Sequence, residues 1–175
     1  MRFGGILLAA ALILGGCTGD PAPREPTKTA SSPRPSSTLK PPVMPEQAKE
    51  DSPEGAAAFV THWVAVFNYA SLSGDIDSLS VLSASGCEGC SHYLQLIRST
   101  YEAGGYFKGG EWKLDDIQVN EARDVRFVEV DVSWGKSRFR KSKQSDEHVG
   151  SADHETLTFE LRDGLVQQLG IGSVE

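Results

Sequence analysis

The sequence predicts an α+β fold, with about three N-terminal helices packed on one face of an antiparallel sheet of about four strands. Apolar residues recur at spacings of three and four as far as Gly105 and at every second position after it. Of the 14 aromatic residues only Phe3 precedes residue 53, so the core must form within residues 53–175. Helices followed by strands, rather than alternating with them, are typical of α+β domains.

The first half of this domain carries start and stop signals for helices. Ser52-Pro53-Glu54 supplies a capping hydroxyl, a proline for the first helical position and an acid near the positive end of the helix dipole. This helix is expected over about residues 53–72. Asp75 can cap a short second helix, and a third is expected between Cys87 and Gly104-Gly105.

The second half alternates apolar and polar residues in four segments. The first segment shifts its register by one residue at Asp115-Asp116, which predicts a β-bulge. Asp163-Gly164 predicts a two-residue hairpin turn between the last two segments. The predicted strands are residues 112–119, 128–134, 157–161 and 165–171.

The N-terminus has the pattern of an export signal. Arg2 precedes a nine-residue apolar run, residues 6–14, which is shorter than the about 20 residues that span a bilayer. Leu14-Gly15-Gly16-Cys17 resembles the lipobox of bacterial lipoproteins. The resemblance implies that residues 1–16 are a signal peptide and that Cys17 carries acyl chains such as palmitate. We therefore expect a protein that is lipid-anchored to the outer, extracytoplasmic face of the bacterial cell membrane.

Residues 17–52 are expected to form a disordered tether between the anchor and the domain. Residues 18–52 contain eight prolines, nine serines or threonines and no aromatic residue, with five basic and five acidic side chains. Because this tether is neutral, the net charge of −7 becomes −8 on residues 53–175 once Arg2 is removed. That charge argues against nucleic acid as a partner, because neutralising phosphates needs basic residues.

Cys87 and Cys90 are the sharpest chemical motif. Two thiols three positions apart at a helix start can form a disulfide bond in an oxidising compartment, which gives a structural interpretation. A thiol oxidoreductase is the second interpretation, because a helix N-terminus lowers the pKa of a thiol. A metal site is the third, but zinc needs two further ligands and only His92 is near. We expect no metal and no cofactor.

A basic segment at residues 136–143 carries five positive charges in an otherwise acidic domain. One interpretation is a charged sheet edge that blocks pairing with other chains. The other is a contact with anionic lipid headgroups or wall polymers. The residues concerned are Lys136, Arg138, Arg140, Lys141 and Lys143.

Several aromatic residues could line an apolar pocket, with core packing as the alternative. They are Trp63, Tyr69, Tyr93, Tyr101 and Trp112. Tyr69, Asp75, Glu129 and Asp131 are the candidate catalytic residues of a cone-fold enzyme. However, Glu129 and Asp131 alternate with valines, which is typical of the solvated side of a strand. The sequence therefore predicts no catalytic residue.

Short motifs between residues 45 and 120 resemble an actinobacterial lipoprotein family of unknown function. They include Asn68-Tyr69-Ala70, Gly74-Asp75 and Cys87-Glu88-Gly89-Cys90. The order of helices and sheet also resembles the cone-shaped fold of the nuclear transport factor two-like (cystatin-like) superfamily, which implies a curved sheet and a homodimer as one option. We expect a non-catalytic domain that binds an envelope protein, a wall polymer or a small apolar ligand. The alternative is an envelope enzyme, either a CxxC thiol oxidoreductase or a cone-fold isomerase or cyclase.

Overall fold

The computed structural model describes residues 39–123 and 125–172. Its helices are α1 (Pro53–Ser73), α2 (Asp77–Ser80) and α3 (Glu88–Glu102), preceded by a 3₁₀ helix at Glu46–Lys49. Its strands are β1 (Gly104–Gly109), β2 (Lys113–Ala122), β3 (Val125–Trp134), β4 (Ser137–Ser142), β5 (His148–Gly150), β6 (Asp153–Arg162) and β7 (Leu165–Ile171). Helices followed by strands confirm the α+β fold class. The predicted signal peptide, Cys17 and the first part of the predicted tether lie outside the described residues.

The strands form two antiparallel sheets in a curved arrangement. The larger sheet has the order β2-β3-β6-β7, and these are the four strands that the sequence predicts. In the smaller sheet β4 lies between β1 and β5. The expectation of about four strands was therefore too low, since the described residues form seven. Strand β1 is rich in glycine and β4 is rich in basic residues, so neither carries the regular apolar alternation that predicts a strand.

Helix α1 begins and ends where its flanking residues require. The Oγ atom of Ser52 accepts a hydrogen bond from the backbone N–H of Gly55 at 3.0 Å. The helix ends at Gly74, whose φ of 75° is left-handed. A Cβ atom on Gly74 would lie 2.5 Å from the ring of Tyr101, so the backbone angle and the lack of space both require glycine.

Three further local features agree with the predictions. The register of β2 shifts between Leu114 and Asp116, which confirms the bulge. Asp163 and Gly164 have φ values of 53° and 70°, as a two-residue hairpin turn requires. At the start of α2, Asp75 Oδ1 accepts a hydrogen bond from the N–H of Asp77 at 3.2 Å, although the N-cap position itself is Ile76.

The core lies between α1 and the inner face of the larger sheet. Trp63 of α1 is fully buried, and its ring meets the edge of Phe159 of β6 at a centroid distance of 5.2 Å. Each large apolar side chain buried in this way stabilises the fold by about 1.5–3 kcal/mol. The fully buried residues of the sheet are Val128, Val130 and Val132 of β3, Leu157 and Phe159 of β6, and Val166 of β7.

The sequence predicts that the domain begins at residue 53, but packed structure begins before that residue. Ala48, in the 3₁₀ helix, is only 7% exposed. A Cβ atom on Gly55 would lie 2.1 Å from the backbone oxygen of Glu50, so this segment lies directly against the start of α1. Among the described residues no helix combines the length and apolar character needed to cross a bilayer.

Candidate functional site

A cavity of about 210 Å³ lies between the second half of α1, helix α3 and the loop from β1 to β2. Five aromatic side chains line it. They are Phe67 from α1, Tyr93 from α3, Phe107 from β1, Trp112 from the loop and Trp134 from the end of β3. Leu72, Leu96 and Ile97 add aliphatic surface.

Three of these rings pack against one another. The centroid of Phe67 lies 4.1 Å from that of Trp112 and 5.2 Å from that of Tyr93. Tyr93 and Trp112 meet edge to face, with an angle of 89° between their planes. Edge-to-face contacts are a favoured arrangement for aromatic pairs. The rings therefore form a fixed wall rather than a set of independent side chains.

Asn68 holds Trp112 in place through two backbone hydrogen bonds. Its Nδ2 donates to the carbonyl oxygen of Trp112 at 2.8 Å, and its Oδ1 accepts from the N–H of Trp112 at 2.9 Å. Trp112 lies in the loop before β2, where no neighbouring strand pairs with its backbone. Gly109 and Gly110, with φ values of 67° and 73°, turn the chain into this loop. The side chain of α1 thus replaces the missing strand partner.

Two acidic residues, Glu111 and Glu155, lie close to the ring cluster. Glu111 is the one charged residue among the described residues that line the cavity. Glu155 pairs across the strands with the fully buried Val132, so its side chain lies on the inner face of the sheet. Burial raises the pKa of Tyr93, and the negative charge of Glu155 raises that pKa further. The phenol of Tyr93 is therefore held in its neutral form.

Two of the five aromatic residues proposed for a pocket, Tyr93 and Trp112, line this cavity. Trp63 does not line it, because its ring is fully buried in the core and its Nε1 donates to Ser83 Oγ at 3.2 Å. The cavity residue Phe67 was missed as a site residue, although its position on the apolar stripe of α1 indicated that it faces inward.

Tyr69 and Tyr101 do not line the cavity either. The hydroxyl of Tyr69 donates to Asp75 Oδ2 at 3.1 Å. The hydroxyl of Tyr101 donates to the backbone oxygen of Ser71 at 2.8 Å, and its ring covers Gly74. Both phenols therefore fasten the end of α1.

Cys87 and Cys90 form a disulfide bond at the start of α3. They are 0% and 1% exposed, and the N–H of Cys90 donates to Cys87 Sγ at 3.2 Å. A Cβ atom on Gly89 would lie 2.1 Å from the backbone oxygen of Leu169, so this end of α3 lies against β7. Disulfide exchange needs a thiolate that can reach one of the sulfur atoms. Burial of both cysteines favours the structural interpretation.

The basic segment supplies side chains to different surfaces. Arg138 and Arg140 of β4 pair with Lys108 and Tyr106 of β1, so these four residues share one face of the smaller sheet. We call them the cationic face. Lys108 Nζ lies 4.4 Å from the centroid of the Tyr106 ring, and the guanidinium carbon of Arg140 lies 5.5 Å from it. Lys108 belongs to the cationic face although it lies outside the basic segment at residues 136–143.

The other basic residues of the segment lie elsewhere. Lys141 alternates with Arg140 and therefore projects from the opposite face of β4, while Lys136 precedes the strand. The carbon atoms of the Lys143 side chain pack close to Gly104. The negative charge of Glu147 lies beside the cationic face, where the Tyr106 hydroxyl donates to its carboxylate. This hydrogen bond is the main cause that lowers the pKa of Glu147; the charges of Arg138, Arg140 and Lys108 lower it further, while partial desolvation raises it.

No metal centre or assembled catalytic group is visible in residues 39–123 and 125–172. No group of three histidine, cysteine, aspartate or glutamate side chains there could hold a metal ion. His62 is buried, and this burial lowers its pKa. Glu129 and Asp131 lie on the outer face of β3, where Thr156 Oγ1 donates to Asp131 Oδ1 at 2.6 Å. They do not converge with Tyr69 and Asp75.

A larger cleft of about 670 Å³ lies at the other end of α1, between the 3₁₀ helix and two hairpins. Arg126 pairs there with Asp51 and with Glu121, the latter at 2.6 Å. Among the described residues that line this cleft, Phe59 is the one aromatic. Eight of its fifteen described lining residues are charged, whereas one of the fourteen that line the smaller cavity is charged. The smaller cavity is therefore the stronger candidate site.

The fold and the cavity define a small α+β domain with a layer of helices, two antiparallel sheets and an aromatic-lined cavity. The chain belongs to DUF6318, a family of unknown function, which matches residues 18–162. No curated protein matches the chain.

The domain is similar in fold to several solved structures. The intermembrane space region of the chloroplast protein ARC6 has a TM-score of 0.50 at 11% identity, covering 71% of this chain and 99% of that chain. A protein of Pseudomonas putida that is assigned as a polyketide cyclase has a TM-score of 0.40 at 13% identity, covering 68% and 91%. A similarly assigned protein of Xanthomonas campestris pv. campestris has a TM-score of 0.36 at 14% identity, covering 66% and 90%. At these identities the likeness concerns the fold alone.

Proposed function

We propose that this chain is a lipoprotein anchored to the outer face of a bacterial cell membrane, and that its domain binds a small apolar ligand without catalysis. The observation that carries the binding proposal is the cavity walled by five aromatic side chains. Four of these rings, all except that of Phe67, remain partly exposed. A ligand that covers them removes apolar surface from water, which is favourable.

The size of the cavity limits the ligand. Drug-sized ligands occupy pockets of about 300 Å³ or more, whereas a dry apolar cavity of about 150 Å³ binds benzene. At about 210 Å³ the cavity fits a single ring or a branched group of similar volume. The hydroxyl of Ser71 and the carboxylate of Glu111 are polar groups at its wall that could orient such a ligand.

The anchor is supported by the lipobox-like residues 14–17 and by the tether that follows them. Two or more acyl chains on Cys17 would hold the protein stably at the bilayer, whereas one chain gives only marginal binding. The cationic face is proposed as an additional contact with the anionic membrane surface, because basic residues near such a surface each add about 1 kcal/mol.

The enzyme alternatives receive less support from the geometry. A thiol oxidoreductase needs an accessible sulfur, and both Cys87 and Cys90 are buried. An isomerase needs an acid or base beside its substrate, and the candidate acids Asp75 and Asp131 lie at the end of α1 and on the outer sheet face. Glu111, the one carboxylate among the described lining residues, is exposed to solvent. A non-catalytic domain fits these positions better.

Filling the cavity tests the proposed function. Ser71→Phe places a ring in the cavity wall, while Ala65→Phe adds the same ring at an exposed position of α1. The full chain in dodecyl maltoside micelles is titrated with cyclohexanol and with benzyl alcohol, following tryptophan emission, since Trp112 and Trp134 line the cavity. We expect saturable changes for the unmodified and Ala65→Phe chains, and at least about tenfold weaker binding for Ser71→Phe. No saturable change in the unmodified chain, or equal binding by all three, contradicts the proposal.

A further inference from the structure

The faces of the cavity's aromatic rings can attract positive charge. An ammonium group within about 6 Å of a ring centroid is attracted by the electron-rich face, and tryptophan gives the strongest effect. Two of the five aromatic side chains in the wall are tryptophans, Trp112 and Trp134. The attraction is stronger where the ligand is shielded from water.

The charges around the cavity have the sign that favours a cation. Glu111 lines the cavity, and no basic side chain does so among the described residues. Glu155 lies on the inner face of the sheet and interacts electrostatically with Tyr93, another lining residue. Strand β4 directs Arg138 and Arg140 to the face that carries Tyr106, whereas Phe107 of the cavity lies on the opposite face. Lys141 projects from the same face as Phe107, but it does not line the cavity.

The wall is also built before any ligand arrives. Asn68 fixes the backbone of Trp112 through two hydrogen bonds, and Phe67 packs against the ring of Trp112 at 4.1 Å. A preformed wall avoids the entropy loss of ordering side chains on binding. The aromatic faces, the acidic surroundings and this rigidity all concern the same cavity.

We infer that the ligand of this cavity is a small organic cation of the quaternary or tertiary ammonium class. This inference rests on the proposed function: it keeps the same cavity and the same apolar contacts, and it adds a positive charge to the ligand. The apolar groups around the nitrogen contact the rings, and the positive charge interacts with their faces and with the carboxylate of Glu111.

The test compares two ligands that differ in charge and have nearly the same shape. Choline has a quaternary nitrogen where 3,3-dimethylbutan-1-ol has a carbon atom. Each is titrated into the full chain in dodecyl maltoside micelles, and tryptophan emission is followed. Choline is expected to bind about tenfold more tightly than the alcohol.

Three variants assign the selectivity to the cavity. Trp134→Leu keeps the wall apolar but removes one ring face, and Glu111→Gln removes the carboxylate. Each is expected to lower the ratio of choline affinity to alcohol affinity by about threefold. Glu54→Gln removes one negative charge at the other end of α1 and controls for net charge, so its ratio is expected to equal that of the unmodified chain.

The outcomes separate this inference from the proposed function. If the alcohol binds as tightly as choline and Ser71→Phe abolishes both, the cavity is an apolar site and the cation inference is wrong. If choline selectivity persists in both Trp134→Leu and Glu111→Gln, the cation binds elsewhere and the inference is again wrong. If the unmodified chain binds none of choline, 3,3-dimethylbutan-1-ol, cyclohexanol and benzyl alcohol, the proposed function itself is wrong.

Discussion

At the scale of single residues, Asn68 connects the helix layer to the cavity wall. Its amide group satisfies both backbone groups of Trp112, a residue that no strand pairs. The cost of removing a partner is larger than the net gain of a hydrogen bond, because the groups left behind lose their partner in a half-buried place. One side chain therefore controls both the stability of the loop and the position of a cavity ring.

Asn68→Ala is expected to lower the free energy of unfolding by about 1–3 kcal/mol, because two hydrogen bonds are lost. Urea denaturation of the full chain in micelles measures this change. Asn68→Asp retains an acceptor for the N–H of Trp112 but loses the donor, so an intermediate value is expected. Asn120→Ala, at an exposed position of β2, is the matched control. Equal stability of Asn68→Ala and Asn120→Ala would show that the two hydrogen bonds contribute nothing measurable.

At the scale of elements, the disulfide bond fastens the start of α3 where that helix meets β7. Closing so short a loop restricts the unfolded chain only modestly. Cys87→Ala/Cys90→Ala is therefore expected to fold and to lose about 2 kcal/mol of unfolding free energy. Cys87→Ser/Cys90→Ser is expected to lose more, because it places two hydroxyl groups in a buried apolar site.

A redox titration separates this structural bond from a catalytic one. Structural disulfides have potentials below about −300 mV, so the bond is expected to stay oxidised in glutathione buffers. Trapping of free thiols after equilibration measures the oxidised fraction, and an insulin-reduction assay measures turnover. A relatively oxidising potential together with insulin reduction would contradict the structural interpretation and support a thiol enzyme.

The strand β4 gives a second prediction at this scale, because its basic residues divide between two surfaces. Lys108→Gln/Arg138→Gln removes two charges from the cationic face, and Lys136→Gln/Lys141→Gln removes two charges from elsewhere. If the cationic face contacts anionic lipid, only the first pair is expected to weaken binding to phosphatidylglycerol vesicles at low salt, by about tenfold or more. Co-sedimentation of the full chain carrying Cys17→Ala measures it. Equal binding of the two double variants to the vesicles would contradict the lipid contact and favour the interpretation of β4 as a charged sheet edge.

At the scale of the whole molecule, the larger sheet was predictable because its inner face is continuous. Strands β3 and β6 alternate buried valine, leucine and phenylalanine with polar residues, and this period of two is direct evidence of a half-buried strand. The smaller sheet was not predictable in this way. Its strand β4 pairs through the backbone with β1 and β5, and its exposed face carries basic side chains instead of an apolar pattern.

The cavity was predictable only in part for a related reason. Aromatic residues identify apolar surface, but the sequence does not show which rings end in the core and which border a void. Trp63 and Trp112 look equivalent in the sequence, but the structure buries Trp63 completely and leaves Trp112 partly exposed. Glu155 was missed as well, although it lies two residues before Leu157 in the alternation of β6 and therefore on the same inner face as Leu157 and Phe159.

The homodimer that the resemblance to cone folds implies, formed through the sheet, stays a prediction.

The last prediction concerns how the molecule is held at the membrane. The apolar run at residues 6–14 is too short to span a bilayer, and the lipobox-like residues 14–17 support the proposal that acyl chains on Cys17 are the anchor. Cys17→Ala is therefore expected to move the protein from the membrane pellet to the soluble fraction of cells washed with high salt, and to abolish incorporation of labelled palmitate. Cys87→Ala/Cys90→Ala removes the other two cysteines and is expected to keep both properties, which separates acylation from general thiol chemistry. If Cys17→Ala stayed in the pellet after the salt wash, some other part of the chain would be the anchor, and the assignment of residues 1–16 as a lipoprotein signal peptide would have to be abandoned.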